Sequence, residues 1–412
     1  MERMTKPLWA VGGIALVTRL MVAFLLDGMR NPDVQEYDVI ARNLIAGRGF
    51  TYFNHGIPIY SALAPLPVWL AAASYWLIGS LVGVMTLQVL AGAASAVAAA
   101  WMAARLFGGS VAPLAAGILV ALHPGLAVYD ASRAHALSFD VLFFTLVLLQ
   151  SFRVGDRPTA GRSAVLGVLV GLGMLSRATV LVFLPLAIVW LLVVKRAPWR
   201  RTLAAALIAG SCAAAVVAPW TIRNSMLHDR FVLLLTTDGD NFWRGNNPHA
   251  SGTSYVDPTR TVLSTLSDSE VRELEQQPDE LAQNAWFKAR AWAFIRENPG
   301  KFVRLFFTKL YFFWWYAPTT GILYPASWFQ AYLAYYSIAV VFAMVGLWRI
   351  SRASGTARAD TILLVTFAIV LSAVQSLYYV EGRHRWAIEP MLLVLSGGGL
   401  AAARHWFSPY LR

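Results

Sequence analysis

Apolar positions in this chain come in long runs, not in alternation. Runs at 8–26, 81–104, 111–129, 137–152, 163–176, 178–194, 202–220, 328–348, 361–379 and 387–403 approach the roughly 20 apolar residues that a helix needs to cross a bilayer. Two more stretches are interrupted: 62–78 by Pro65 and Pro67, and 301–317 by Lys301, Arg304 and Lys309. A polar island follows the first run. Asn31 can cap a helix there, Pro32 suits its first turn, and Gly47 suits its stop. Val34, Tyr37, Ala41, Leu44 and Ile45 recur at helical spacing, which predicts a short helix lying on the membrane interface. Asp33, Glu36 and Tyr37 then fall near its positive start.

Basic residues set the orientation. Arg3 and Lys6 place the N-terminus in the cytoplasm, and the Asp33 segment outside. The loops carrying Arg153, Arg157 and Arg162, then Lys195, Arg196, Arg200 and Arg201, then Arg349, Arg352 and Arg358 belong inside. Parity holds if 62–78 does not cross, which also puts Arg105 inside, and if 301–317 is interfacial. That gives about ten crossings. Twelve crossings would place the basic loop at 153–162 outside. The chain therefore reads as an all-α polytopic membrane protein. Residues 1–220 form an N-terminal transmembrane module with an external loop at 27–80. Residues 221–327 form an external region with interfacial helices, and 328–412 are C-terminal transmembrane helices. Within 221–300, the turn formers from Thr236 to Pro248 predict an ordered loop, and 278–297 a helix.

Composition narrows the classes. The chain is 58% hydrophobic and 14% charged, which excludes a soluble domain. Its net charge of +12 would suggest nucleic acid in a soluble protein. Here the cations sit at the ends of apolar runs, where orientation and anionic lipid account for them. The single Cys212 excludes an internal disulfide and a cysteine metal site. The first run keeps Arg19 and lacks a small-residue cleavage site, so it is expected to be a retained anchor. No GxxxxGK[ST], GxGxxG or His-Glu-x-x-His motif occurs, and no fixed-period repeat.

The informative polar groups fall at outer span ends: Asp33, Glu36 and Tyr37; Asp130, Arg133 and His135; Arg177; Arg223; and Arg383 and Arg385. Each has a plain alternative. Asp33 can cap a helix, the arginines can reach up to headgroups, and His135 can be a packed histidine. Their coincidence at one face carries more weight. Arginine is depleted on that side, and its planar fork matches phosphate oxygens.

Asp33-x-x-x-Tyr37, Ala41-Arg42-Asn43-Leu44 and Gly47-Arg48-Gly49-Phe50 resemble the first external loop of the GT-C membrane glycosyltransferases. The nearest branch is that of the lipid A aminoarabinose transferase and the protein O-mannosyltransferases. His123-Pro124, Leu175-Ser176-Arg177, Pro219-Trp220-Thr221-Ile222-Arg223-Asn224, Gly245-Asn246-Asn247-Pro248, Asn298-Pro299 and Arg383-His384-Arg385 follow in order. The resemblance implies a GT-C-like bundle in the cytoplasmic membrane. It implies transfer of a sugar from a polyprenyl-phosphate donor to an acceptor hydroxyl at the outer face, with inversion. The acceptor is a glycan, a lipid or a protein. Asp33 takes the catalytic role by resemblance, and Arg177, Arg223, Arg383 and Arg385 the donor phosphate. Glu36, Tyr37, Asp130, Arg133 and His135 are supporting or acceptor-side residues. A second acid of the family supports the site or a divalent metal. The sequence reads Asp130 and His135 where that acid is expected, which leaves metal dependence open. The rival class is a transporter or flippase of a lipid-linked sugar, which also needs phosphate-binding arginines but tends to show repeats and midplane polar sites.

Overall fold

The computed structural model describes residues 2–407, with side chains for 8–404; the Arg3 and Lys6 side chains and residues 408–412 lie outside these. Every expected apolar run is helical. The N-terminal part runs α1 (Glu2–Leu25), α2 (Glu36–Ile45), a hairpin of β1 (Tyr52–Asn54) and β2 (Ile57–Ile59), α3 (Pro65–Ile78), α4 (Val82–Phe107), α5 (Val111–Ala121) and α6 (Pro124–Ser132). It continues through α7 (Leu137–Asp156), α8 (Ala160–Met174), a 3-10 turn at Ala178–Val182, α9 (Phe183–Val193) and α10 (Trp199–His228). Shorter elements follow: α11 (Asp238–Gly245), a hairpin of β3 (Tyr255–Asp257) and β4 (Arg260–Thr261), α12 (Asp268–Glu275), α13 (Glu280–Glu297) and α14 (Pro299–Trp314). The chain closes with α15 (Ala326–Ser351), α16 (Thr356–Gln375), the short α17 (Gly382–Trp386) and α18 (Glu389–Phe407). Both hairpins are antiparallel. One continuous core joins the long helices, and a small separate one lies under α11 and α13.

Among the described residues six helices are long and apolar enough to cross a membrane, or seven if α5 and α6 form one span bent by 50°. Of the other expected crossings, α8 and the Ala178–Val193 stretch are shorter, and ten remains the expectation given by the loop charges. The ion pairs sort the bundle ends. Arg105 bonds Asp156 at 2.7 Å and Asp360 at 2.6 Å, and Lys195 reaches Asp360 at 2.8 Å. These contacts bring the basic connections after α4, α7 and α9 to one end, as parity requires. Helix α3 stays at the opposite end: Leu66 N–H donates to the Leu175 carbonyl at its start, while Tyr75 donates to Asp38 of α2 near its finish. Helix α14 likewise starts beside Pro248 through Lys301 and ends beside Arg385.

The first loop differs from expectation in one respect. Helix α2 begins at Glu36 with Gln35 as its cap residue, so Asn31 and Pro32 do not start it. Asp33 lies ahead of it in an extended segment, where its N–H donates to the Ser132 carbonyl and its carbonyl accepts from Ala134 N–H. This tertiary bridge outweighs the local cap. The stop is as expected: the chain leaves α2 through Gly47 at φ +73°, a left-handed conformation suited to glycine.

The break between α5 and α6 has a local cause. Pro124 cannot donate to continue the helix, and His123 restarts it by accepting from Leu126 N–H at 3.0 Å. Buried Arg19 of α1 takes up what the break leaves. Its Nη1 donates to the Ala121 carbonyl at 3.1 Å and its Nε to Asp130 at 2.7 Å. Ser138 holds the other Asp130 oxygen at 2.5 Å. Gly92 permits this approach, because a Cβ there would lie 2.0 Å from Asp130 and 2.2 Å from Arg19. Asp130 is therefore a buried tie between α1, α6 and α7, and not the supporting residue expected from its place in the sequence. Removing one member of such a pair strands a buried charge, at about 3–5 kcal/mol. Asp130→Ala should lower the melting temperature in detergent markedly, while Arg19→Met with Asp130→Leu should recover much of it. An unchanged melt in the single variant would show that the pair is dispensable.

Candidate functional site

At the end of the bundle opposite the basic connections, α6, α14, α15, α17 and the 317–324 segment enclose a cavity of about 300 Å³. Its wall is mostly apolar and rich in aromatic rings, Tyr129, Tyr255, Phe312, Tyr324, Trp328, Tyr332 and Trp386 among them, with the hydroxyls of Thr253, Thr319 and Thr320. Two charged side chains line it, Glu381 and Arg383, paired at 2.8 Å. Ser254 donates to the other Glu381 oxygen, so the acid anchors α17 to the external region.

Two more arginines stand nearby, each with its own acid. Arg133 bonds Asp33 at 2.8 Å and lies over the rings of Tyr129 and Tyr324, 5.0 and 5.3 Å from their centres. Those rings belong to the cavity wall, so the half-exposed Asp33 carboxylate sits at its edge. Arg177 bonds Asp140 of α7 at 2.6 Å through Nε, and Ser176 holds the second Asp140 oxygen at 2.7 Å. His135 ties the group together. Its ring meets Tyr37 and Tyr129 edge-on at 5.7 and 5.5 Å. Burial, with Arg383, Arg177 and Arg133 in electrostatic range, holds its imidazolium well below the ordinary histidine value. Its Nδ1 accepts from Leu137 N–H at 3.0 Å, so the neutral ring carries its proton on Nε2. His384 repeats the pattern. Burial and the charges of Arg383 and Arg177 keep it neutral, and its Nδ1 accepts from Glu381 N–H at 3.2 Å. Burial and nearby Asp140 push the Tyr37 phenol up, so it too stays a neutral donor. Arg133, Arg177 and Arg383 are thus all in electrostatic range of His135, beside the neutral Tyr37 and His384, an arrangement suited to an anion.

The structure brings together Asp33, Tyr37, Arg133, His135, Arg177 and Arg383. It separates four expected residues. Asp130 is the buried tie to Arg19. Arg385 is also buried: it bonds Glu389 at 3.3 Å, the Phe313 and Trp315 carbonyls at 3.1 and 2.8 Å, and Tyr332 at 2.6 Å, leaving no face for a phosphate. Arg223 is spent on the first loop, donating to the Tyr60 carbonyl at 2.8 Å and to Ser61 at 3.2 Å while lying over Trp220. Glu36 is exposed on the first turn of α2 and does not line the cavity.

Asp140, Tyr129 and Tyr324 were not singled out from the sequence. Asp140 had a signal: a carboxylate inside the run Leu137–Phe144 demands a buried partner. Among the described residues no three His, Cys, Asp or Glu side chains converge to hold a metal; the acids face arginines instead.

The depressed histidines carry a pH consequence. Below the ordinary value of 6.5 the unfolded chain takes up protons that the folded chain refuses, so stability falls as pH falls. The slope is about 1.4 kcal/mol per pH unit for each such group. Lys309, held by burial at about 7 from an ordinary 10.5, acts in the same sense at higher pH, and buried His55 acts with the other histidines. Melting temperature should drop between pH 7 and 5.5. His135→Asn with His384→Asn, whose side-chain carbonyls can stand in for Nδ1, should flatten part of the drop. An equal slope in that variant would place the proton uptake elsewhere.

Residues 62–222, from the approach to α3 through most of α10, match the family described as dolichyl-phosphate-mannose-protein mannosyltransferase. That segment carries the pattern of a membrane glycosyltransferase family, in line with the resemblance read from the motifs. Among solved structures the chain is similar to ArnT from Cupriavidus metallidurans bound to undecaprenyl phosphate. The identity is 16% and the TM-score 0.46, over 97% of this chain and 80% of that one. The same protein in the apo state gives 16% identity and a TM-score of 0.44, over 97% and 79%. No curated protein matches the chain.

Proposed function

We propose that this multi-pass membrane protein transfers a sugar from a polyprenyl-phosphate donor to an acceptor hydroxyl at the outer face of the cytoplasmic membrane. The observation that carries the reading is the meeting of Asp33–Arg133, Asp140–Arg177 and Glu381–Arg383 beside one aromatic cavity, at the end of the bundle away from the basic connections. With the basic connections in the cytoplasm, this end faces outward.

Asp33 accepts the proton of the acceptor hydroxyl as its oxygen bonds the anomeric carbon. The bond from that carbon to the phosphate oxygen breaks, and the electron pair leaves with the polyprenyl phosphate. Attack from the face opposite the leaving group inverts the anomeric centre. Charge grows on the phosphate oxygens, where Arg177 and Arg383 are already oriented by their acids, so little reorganisation is needed in the transition state. Arg133 holds Asp33 in place and stacks on the cavity wall. His135, His384 and Tyr37 add neutral N–H and O–H donors.

Purified protein in liposomes, given labelled polyprenyl-phosphate sugar and envelope extracts as acceptor, should move label to the acceptor. Movement of intact donor across the bilayer without transfer would favour the flippase reading. Neither transfer nor movement would overturn both.

A further inference from the structure

Resting on that reading, we infer that Gln88 is a positioning residue for sugar transfer: it fixes the place of the Asp33 carboxylate through the 132–135 segment. Gln88 is buried in α4, inside an apolar run, where an amide needs partners for both of its ends. It finds both on one stretch of backbone. Its Nε2 donates to the Arg133 carbonyl at 2.7 Å, and its Oε1 accepts from His135 N–H at 3.2 Å. The opposite edge of the same stretch holds Asp33. Asp33 N–H donates to the Ser132 carbonyl at 2.8 Å, and Ala134 N–H donates to the Asp33 carbonyl at 3.0 Å. Arg133 is extended, with φ −127° and ψ 126°, and extended residues turn their N–H and C=O groups to alternate edges. Residues 132 and 134 thus serve the first loop, while 133 and 135 serve Gln88, whose amide stands in for a neighbouring strand.

Asp33 lies ahead of α2 and is half exposed, so its place comes from this linker between α6 and α7. Arg133 is anchored at its own carbonyl, and its guanidinium reaches the Asp33 carboxylate at 2.8 Å. The linker takes its place in turn from α4. One turn after Gln88, Gly92 admits Asp130 and Arg19 against the same helix face. A glutamine fits the task because one planar group donates and accepts at once. Methionine has a similar length but does neither, and it leaves both backbone groups without their partner. Displacing a reacting group by about 1 Å can cost about 10²-fold in rate. Arg177 and Arg383 take their places from Asp140 and Glu381 instead, so donor binding is separate from this support.

The test uses the full chain in liposomes, with labelled polyprenyl-phosphate sugar as donor and envelope extract as acceptor. Gln88→Met should lower the maximal transfer rate by about 10–100-fold, while the half-saturating donor concentration moves by less than about threefold. Gln150→Met is the control. Gln150 is a buried glutamine of α7 at the opposite end of the bundle, and its Nε2 donates to the Arg162 carbonyl at 2.8 Å. Its loss should lower the melting temperature and leave transfer unchanged. In an Asp33→Asn background, Gln88→Met should lower the residual transfer by less than about threefold, because it acts through that carboxylate. Should Gln88→Met not fold, Gln88→Glu carries the same test: it keeps an acceptor for His135 N–H and, when ionised, loses the donor to the Arg133 carbonyl. A parent-like rate in the Gln88 variant, a rise in half-saturating donor that accounts for the loss, or an undiminished loss in the Asp33→Asn background would each overturn the inference and leave the transferase reading standing. No transfer by the parent chain would overturn that reading, and this inference with it.

Discussion

Asp33→Asn is expected to reduce sugar transfer by roughly 10²–10⁴-fold, the usual range for loss of a positioned base. Asparagine keeps the shape and an oxygen for Arg133, which bonds Asp33 at 2.8 Å, but cannot take the hydroxyl proton. The Asp33 carboxylate is half exposed, and its backbone bridge to Ser132 and Ala134 does not depend on the side chain. The variant should therefore melt at nearly the parent temperature and bind polyprenyl phosphate with nearly the parent affinity. Turnover at the parent rate would remove Asp33 from the catalytic role. A joint loss of turnover and stability would instead recast it as a tie between the first loop and α6.

The second large effect separates two arginines that lie two residues apart. Arg383→Ala should weaken polyprenyl-phosphate binding and cut transfer by about 10²–10³-fold, as removal of a preorganised donor does. Arg177→Ala should act in the same direction, and neither should change acceptor binding as much. Arg385→Ala should act on the fold: it strips the Phe313 and Trp315 carbonyls of a donor and leaves buried Glu389 with only His123 and Tyr332 beside it. Losses of this kind run to about 3–5 kcal/mol. Donor titration together with thermal melting in detergent distinguishes the two cases. Donor affinity unchanged in both Arg383→Ala and Arg177→Ala would refute the phosphate clamp.

Residues 383 and 385 show where sequence reading stops. Both sit in the motif Arg383-His384-Arg385 at the outer end of an apolar run, and both looked fit for a phosphate. Helical residues two apart point to nearly opposite sides. Within α17 that turn sends Arg383 to the cavity and Arg385 into the packing of α14, α15 and α18. Asp130 and Asp140 show the converse. The acid in the polar loop is locked to Arg19, while the acid hidden in an apolar run meets Arg177.

The sequence by itself determined the helical elements, the retained polar island, and which connections gather at one end. Those follow from run length and charge placement, and both are local properties of the chain. It also singled out Asp33, Arg133, Arg177 and Arg383 as unusual for their position. Only the tertiary structure decided which acid faces which arginine, that Asp33 precedes α2 in an extended bridge, and that Arg223 and Arg385 serve packing. Those outcomes depend on the rotation of each helix about its axis and on partners tens to hundreds of residues away. No local pattern encodes either of them.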